Sequence, residues 1–405
     1  MKKTLSLILA CVMIVGLVAG CSGSGSTASA APSASPSAAA AGNKVVKIGV
    51  YEPASGDNGA GGKQETLGIQ YAHDVCPTVK IGNDTYDVEL VVVDNESSND
   101  KGPSAASSLV SQGISVALGS YGSGVSIAAS DVFKNAKIPV IGITCTNPAV
   151  TEGNTHYFRI CFLDPFQGTV LANFAADTFK AKTAYCLAKL GDDYSVGLCN
   201  YFKQAFEKLG GTVIYDTFPE GNSDFTSYLT NATNSNADVF FAPVSTEAAA
   251  LIIEQASSQG VKIPLLAGDT WDSNVITQAA KGKDAQVYIT TFYQEGGSPD
   301  FDKGFKAWLN ADKTRLANNN GNDMIAAVSA MGYDGYFTAL EALKAAGSTD
   351  SSKVNEALWK VSFKGVTGDI AFDTVNGDAV RTVAYVKQVN TADGTWKFVA
   401  VQGVK

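Results

Sequence analysis

Between Val45 and Ala267, short apolar runs alternate with longer stretches whose apolar positions recur at helical spacing. The pattern predicts strands over Val45 to Val50, Asp87 to Asp94, Val116 to Gly119 and Ile138 to Gly142. Helices over Gly62 to His73, Lys101 to Gln112 and Val125 to Asn135 fall between them. After Pro165 the rhythm restarts with helix Phe166 to Phe179, strand Ala184 to Lys189 and helix Tyr194 to Leu209. Strand Thr212 to Thr217, helix Asp224 to Asn234, strand Ala237 to Pro243, helix Thr246 to Ser257 and strand Ile263 to Ala267 follow. Repeated β-α units build parallel sheets covered by helices on both faces. The number of units exceeds one comfortable sheet, so the fold expected is α/β with two doubly wound parallel-sheet lobes.

From Gln286 the pattern changes. A strand over Val287 to Phe292 leads into long helices at Asp300 to Lys313 and Asp323 to Ala346. The tail carries Gly368 to Asp373, then strands over Arg381 to Val389 and Trp396 to Val401. These returns place residues 44–164 with 291–364 in lobe 1, and 165–290 with 365–405 in lobe 2. Several crossings then form a multi-strand hinge, with the cleft between lobes as the binding place.

Two strand ends carry the candidate chemistry. Val116 to Gly119 runs into Ser120, Tyr121, Gly122, Ser123 and Gly124, and Ile138 to Gly142 runs into Ile143, Thr144, Cys145, Thr146 and Asn147. In an open parallel sheet such loops lie at the carboxyl ends of the strands, where ligands bind. Hydroxyls and free N–H groups beside a helix N-terminus suit a small anion such as a carboxylate. Ordinary Ser/Thr/Gly turn chemistry is the bland reading of either loop alone. Two in succession, each after a buried-type strand, point to a site.

The N-terminus states where the protein works. Lys2 and Lys3 precede an apolar run from Leu5 to Leu17, which is a secretory signal over 1–20 and too short for a comfortable membrane span. Cys21 follows Ala19 and Gly20, as in a bacterial lipobox, and becomes the lipidated N-terminus. Residues 21–43 then form a tether of Ser, Ala, Gly and Pro that cannot bury a core. The protein is therefore expected as a soluble domain, lipid-anchored at the extracytoplasmic face of the cell membrane. The net charge of −9 argues against a basic nucleic-acid face. The seven cysteines leave Cys76, Cys145, Cys161, Cys186 and Cys199 in the mature chain. Their odd number and irregular spacing favour small buried hydrophobes over a disulfide framework or zinc site, with a Cys186–Cys199 or Cys145–Cys161 bridge left open.

Enzymatic motifs fail on inspection. Gly59 to Lys63 lacks the Ser or Thr of a phosphate loop, since Gln64 follows, and no nucleophile elbow surrounds Ser123. Only His73 and His156 occur, neither at metal-ligand spacing, so no cofactor, metal or catalytic residue is expected. Asp192 and Asp193 read as a helix N-cap rather than a calcium loop.

Across nearly the whole mature chain, an ordered set of motifs is similar to a known family. They are Val46 to Tyr51, Ala54 to Gly56, Gly119 to Ser130, Thr146 to Thr151, Phe158 with Arg159, Asp192 to Gly197, Gly268 to Ser273, Tyr333 with Asp334, and Gly368 to Asp373. In order and spacing the chain resembles the periplasmic leucine/isoleucine/valine-binding proteins, the type 1 binding lipoproteins of amino-acid ABC transporters. The resemblance implies that Ser123 and Thr146 hold a ligand carboxylate while the Thr144 carbonyl and Asp269 receive its ammonium. It makes Tyr194 the residue that closes over the ligand, with Tyr121 and Trp271 as pocket aromatics beside Phe292 and Tyr293. It implies capture of an apolar or branched-chain L-amino acid by a monomer, for delivery to an ABC permease. A ligand-sensing receptor of the same fold is the alternative. Gly61 stands where the family often has an aromatic, and Gly122 replaces a cysteine, so the side-chain pocket departs from the pattern while the backbone-reading residues remain.

Overall fold

The computed structural model describes residues 44–403; the signal segment 1–20 and the Cys21 tether 21–43 lie outside the described residues. The apolar runs become strands β1 (Lys44–Val50), β2 (Thr78–Ile81), β3 (Asp84–Val92), β4 (Val116–Leu118), β5 (Val140–Gly142) and β6 (Tyr157–Arg159). They form one sheet in the order β2-β3-β1-β4-β5-β6. Only β2 runs antiparallel to its neighbour, through a tight turn at Gly82. The register sets Ile48 beside Val116, Ala117 beside Val140 and Ile141 beside Phe158, all fully buried. Fully buried strands read as continuous apolar runs because helices cover both faces.

A second sheet is built from β7 (Thr183–Lys189), β8 (Thr212–Phe218), β9 (Val239–Phe241), β10 (Leu265–Ala267), β11 (Val287–Thr291), and, after the hairpin β12 (Ser362–Gly365) and β13 (Gly368–Ala371), from β14 (Ala384–Asn390) and β15 (Thr395–Gln402). Its order is β15-β14-β11-β10-β9-β7-β8, with β14 and β15 antiparallel at one edge. Each sheet reverses its strand order once, at β1/β4 in the first and β7/β9 in the second. These switch points leave a crevice beyond the carboxyl ends of the strands.

The chain passes between the sheets after β6, after β11 and before β14. Phe301 and Phe305 of helix Pro299–Asn310 join the core of the first sheet, as do Ile370 and Phe372 of the β12–β13 segment. Helices Gly59–Val75 and Ala327–Ala346 pack closely over that core, because Gly68 and Gly332 let each backbone meet the other. The expected helix from Asp300 to Lys313 breaks at Asp312, whose carboxylate accepts from Thr314 N (2.6 Å) and starts the short helix Lys313–Asn318. All five described cysteines are free thiols, so neither bridge left open above forms, and four of them are buried.

Arg159 ends β6 with no solvent exposure. Its Nε donates to Asp378 Oδ1 (2.9 Å), Nη1 to the Cys145 carbonyl (2.9 Å) and Nη2 to Thr151 Oγ1 (2.9 Å). The segment around Asp378 returns beside β6, with Arg159 N bonded to Gly377 O and Ala379 N to Arg159 O. One guanidinium thus fastens this returning segment to the loop that follows β5. Removing one partner of a buried pair strands the other charge. Arg159→Met is expected to lower stability by about 3–5 kcal/mol in urea unfolding. The double variant Arg159→Met, Asp378→Leu should recover a large part of that loss.

Candidate functional site

Both switch points feed one cavity of about 50 Å³. From the first sheet come Tyr121, Gly122 and Ser123 after β4 and Thr144 after β5; from the second come Lys189, Asp192 and Tyr194 after β7, Ser245 after β9 and Thr270 after β10. The strand ends place these groups and the helices orient them. Gly122 caps helix Ser123–Ala136, so Ser123 sits in the first turn, among free N–H groups. Asp192 caps helix Asp193–Lys208 by accepting from Ser195 N (2.8 Å), which is the capping role expected of the acid pair. The two loops of the first sheet touch, with Asn147 N donating to Ser123 Oγ (3.3 Å).

Of the residues singled out from the sequence, Tyr121, Ser123, Thr144 and Tyr194 line this cavity together. Asp269 lies one bond behind the wall, and Tyr194 donates its hydroxyl to Asp269 Oδ1 (3.0 Å). Tyr121 spans the two sheets, its N–H donating to Glu52 Oε2 (2.6 Å) and its hydroxyl to the Thr270 carbonyl (3.1 Å). Thr146 is buried beside the Asp164 carboxyl, off the cavity lining, and its hydroxyl has no hydrogen-bond partner among the described residues. Trp271 is placed differently: its ring is fully buried in the core of the second sheet, and Nε1 donates to the Val244 carbonyl (3.1 Å). Phe292 packs on Phe162 and Tyr293 bonds Asp302, both outside the cavity lining.

The sequence reading missed a buried acid pair. Glu52 lies two residues past the end of β1, and Glu65 lies on the buried face of helix Gly59–Val75. Their carboxyls lie against each other, Thr144 Oγ1 donates to Glu65 Oε2, and an Oε1 atom on each has no other partner among the described residues. Burial pushes Glu52 up to about 8, and burial together with the neighbouring Glu52 carboxyl pushes Glu65 well above the usual carboxylate range. Burial likewise pushes Asp269 up to about 7 and Asp164 up to about 8. An acid at the end of the apolar run of β1, and two consecutive polar residues, Gln64 and Glu65, on a helix face that packs inward, were the signals available.

Cross-lobe bonds ring the cavity. Lys189 Nζ pairs with Asp57 Oδ2 (2.8 Å), Asn147 Nδ2 donates to the Asp193 carbonyl (2.7 Å) and Ser273 Oγ to Gln64 Oε1 (2.9 Å). The lobes are closed on each other in this structure.

This arrangement of two doubly wound lobes around a closed cleft is that of a type 1 periplasmic binding protein. The sequence profile of the periplasmic binding protein family matches residues 45–395, and the chain belongs to that family. A similar curated relative is the Leu/Ile/Val-binding protein homolog 1 of Brucella abortus, 29% identical over 363 residues covering 87% of this chain and 93% of the relative. Among solved structures, the leucine-binding protein LivK of Thermotoga maritima superposes with a TM-score of 0.78 at 32% identity, covering 89% of this chain and 99% of that one. LivJ of Streptococcus pneumoniae, in complex with isoleucine, gives 0.76 at 27% identity, covering 89% of this chain and all of that one. A benzoate-bound solute-binding protein from R. palustris shares the fold at 19% identity, with a TM-score of 0.75. Members of the family are extracytoplasmic substrate-binding proteins rather than enzymes. Among the described residues no helix is long and apolar enough to cross a membrane, and no cluster of metal-binding side chains occurs.

The raised acids fix a pH dependence. Asp269, Glu52 and Asp164 titrate near 7–8 when folded and near 4 when unfolded, so between these values the folded chain holds more protons. Their stabilising contribution is full below about pH 4 and lost as pH rises through about 7–8. The melting temperature of ligand-free protein is expected to fall from pH 5 to pH 8. Glu52→Gln, whose amide supplies the shared donor permanently, should flatten that slope.

Proposed function

We propose that this protein captures one α-amino acid between its lobes and delivers it to an ABC permease, held at the membrane by a lipid on Cys21. The observation that carries the reading is the single cavity at both switch points. Hydroxyl and N–H donors of the first lobe face a tyrosine bonded to an acid of the second. A zwitterion needs donors for a carboxylate and acceptors for an ammonium about one bond away. Ser123 and the N–H groups of its helix supply the first set. The Thr144 carbonyl and Asp269 supply the second, once Tyr194 gives up its bond to Asp269 to the ligand. Thr146 completes the carboxylate side by turning its unpaired hydroxyl toward it. The relatives named for leucine, isoleucine and valine support an amino acid as the class of ligand. Because Ser123 and Thr144 come from one lobe and Asp269 from the other, the closed state alone satisfies the ligand, which therefore draws the lobes together.

Screening melting temperature against amino acids, carboxylates and amides tests the reading. A ligand at 100 times its Kd stabilises by about 2.7 kcal/mol. Asp269→Ala is expected to remain folded by circular dichroism and to lose the ligand-induced shift. Binding as tight as wild type in that variant would remove the ammonium assignment. The ligand also needs Asp269 ionised, and Asp269 titrates near 7. Calorimetry should show a proton released on binding at pH 6, and affinity falling about tenfold for each pH unit below 7.

A further inference from the structure

We propose that the ligand is an α-amino acid with a short uncharged polar side chain, a hydroxyl or carboxamide, and that the cleft discriminates against branched aliphatic ones. This rests on the amino-acid reading above and goes beyond it to the side chain. The wall is the first reason. The lining is made of polar and hydroxyl-bearing residues such as Asn58, Ser97, Ser123, Ser245 and Thr270, and no Leu, Ile, Val, Phe or Met is among the lining residues. An aliphatic group sealed against such a wall desolvates the hydrogen-bonding capacity that its lining groups have not already used within the protein. A site built to hydrogen-bond a ligand rejects the analogue lacking that group by up to about 10⁴-fold or more.

Size is the second reason. The cavity is small, about 50 Å³, which favours a short side chain over the bulkier leucine or isoleucine. The space is limited by Tyr121. A Cβ at Gly61 would stand 2.5 Å from Tyr121 Cζ and 2.6 Å from its oxygen, so the ring lies directly on the bare backbone of the helix. Its hydroxyl reaches the Thr270 carbonyl of the other lobe. The ring thus fills the gap between helix and opposite lobe that a longer side chain needs.

Charge is the third reason. An adjoining pocket that shares Asp57, Lys189 and Asp192 with the cavity also carries Glu96, Asp100 and Glu220. Lys189 is itself bound by Asp57 (2.8 Å) and Glu220 (2.6 Å). A net negative field beside the cavity opposes a ligand of net negative charge. Cationic side chains of ordinary length exceed the cavity, which leaves neutral polar ones.

The test is calorimetry on the full chain, stripped of bound ligand by unfolding and refolding. The titrants are serine, threonine, asparagine, leucine, isoleucine, glutamate and benzoate. The expected result is that a hydroxyl or carboxamide amino acid binds at least about 100-fold more tightly than leucine, isoleucine or glutamate. Tyr121→Leu should shrink the preference over leucine by at least about tenfold, a ratio internal to the variant and insensitive to its overall stability. Leucine or isoleucine binding as tightly as the polar amino acids overturns this inference and leaves the amino-acid reading standing. Benzoate binding while every amino acid fails overturns that reading, and this inference with it. A ratio unmoved by Tyr121→Leu overturns the role given to the ring.

Discussion

Parallel sheets end in backbone N–H groups and loop hydroxyls that the sheet itself cannot satisfy, and everything in this cleft follows from setting two such ends face to face. Each lobe buries its central apolar strands, and polar groups gather where the strand order reverses. Closure then buries those groups, and buried polar groups need partners. Part of the demand is met across the gap: Tyr121 bonds Thr270, Asn147 bonds Asp193, and Lys189 bonds Asp57. The remainder is the chemistry available to a ligand.

The floor of the cleft is held from beneath by groups that never reach the cavity. Arg159 clamps the carbonyls of Cys145 and Asn147, fixing the loop that presents Thr144. Thr144 in turn directs its hydroxyl back to Glu65. Glu52 accepts from the Tyr121 N–H and meets Glu65 on its other side. One chain of polar contacts therefore links β1, helix Gly59–Val75 and both site loops. A shared proton makes that chain satisfiable, since with both carboxyls ionised the repulsion would sit in the driest part of the lobe.

Much of the fold was legible because its strands are buried on both faces and so appear as unbroken apolar runs, as in Val116 to Leu118 and Leu265 to Ala267. What escaped was short or exposed. The edge strand β2 alternates with polar residues, β6 is three residues ending in arginine, and helices Asn274–Ala280 and Ser351–Leu358 are too brief for a periodic signal. The site loops were legible by their small polar residues at strand ends. Trp271 was not, because adjacency in sequence to Asp269 says nothing about which way a side chain turns within a single 3₁₀ turn. Glu52 and Glu65 were hidden for a different reason. A carboxyl on a helix or after a strand looks solvated until the tertiary structure shows that a second carboxyl, distant in sequence, shares its proton.

The cross-lobe bonds also bear on how a ligand acts. They hold the lobes together without any ligand group, so the closed state is already supported by Lys189 with Asp57, Ser273 with Gln64 and Asn274 with the Asn319 carbonyl. A ligand shifts an open–closed equilibrium only by its differential affinity for the two forms, and moving it from 1:99 to 99:1 takes about 5.5 kcal/mol. Pre-existing bridges reduce how much of that the ligand must supply, which matters most when the ligand is small and has few atoms with which to bind. These bridges are hydrogen bonds and one partly exposed ion pair rather than a dry apolar seam. They exchange with water at modest net cost, so closure can be tight enough to retain a small polar solute and still reversible enough to release it.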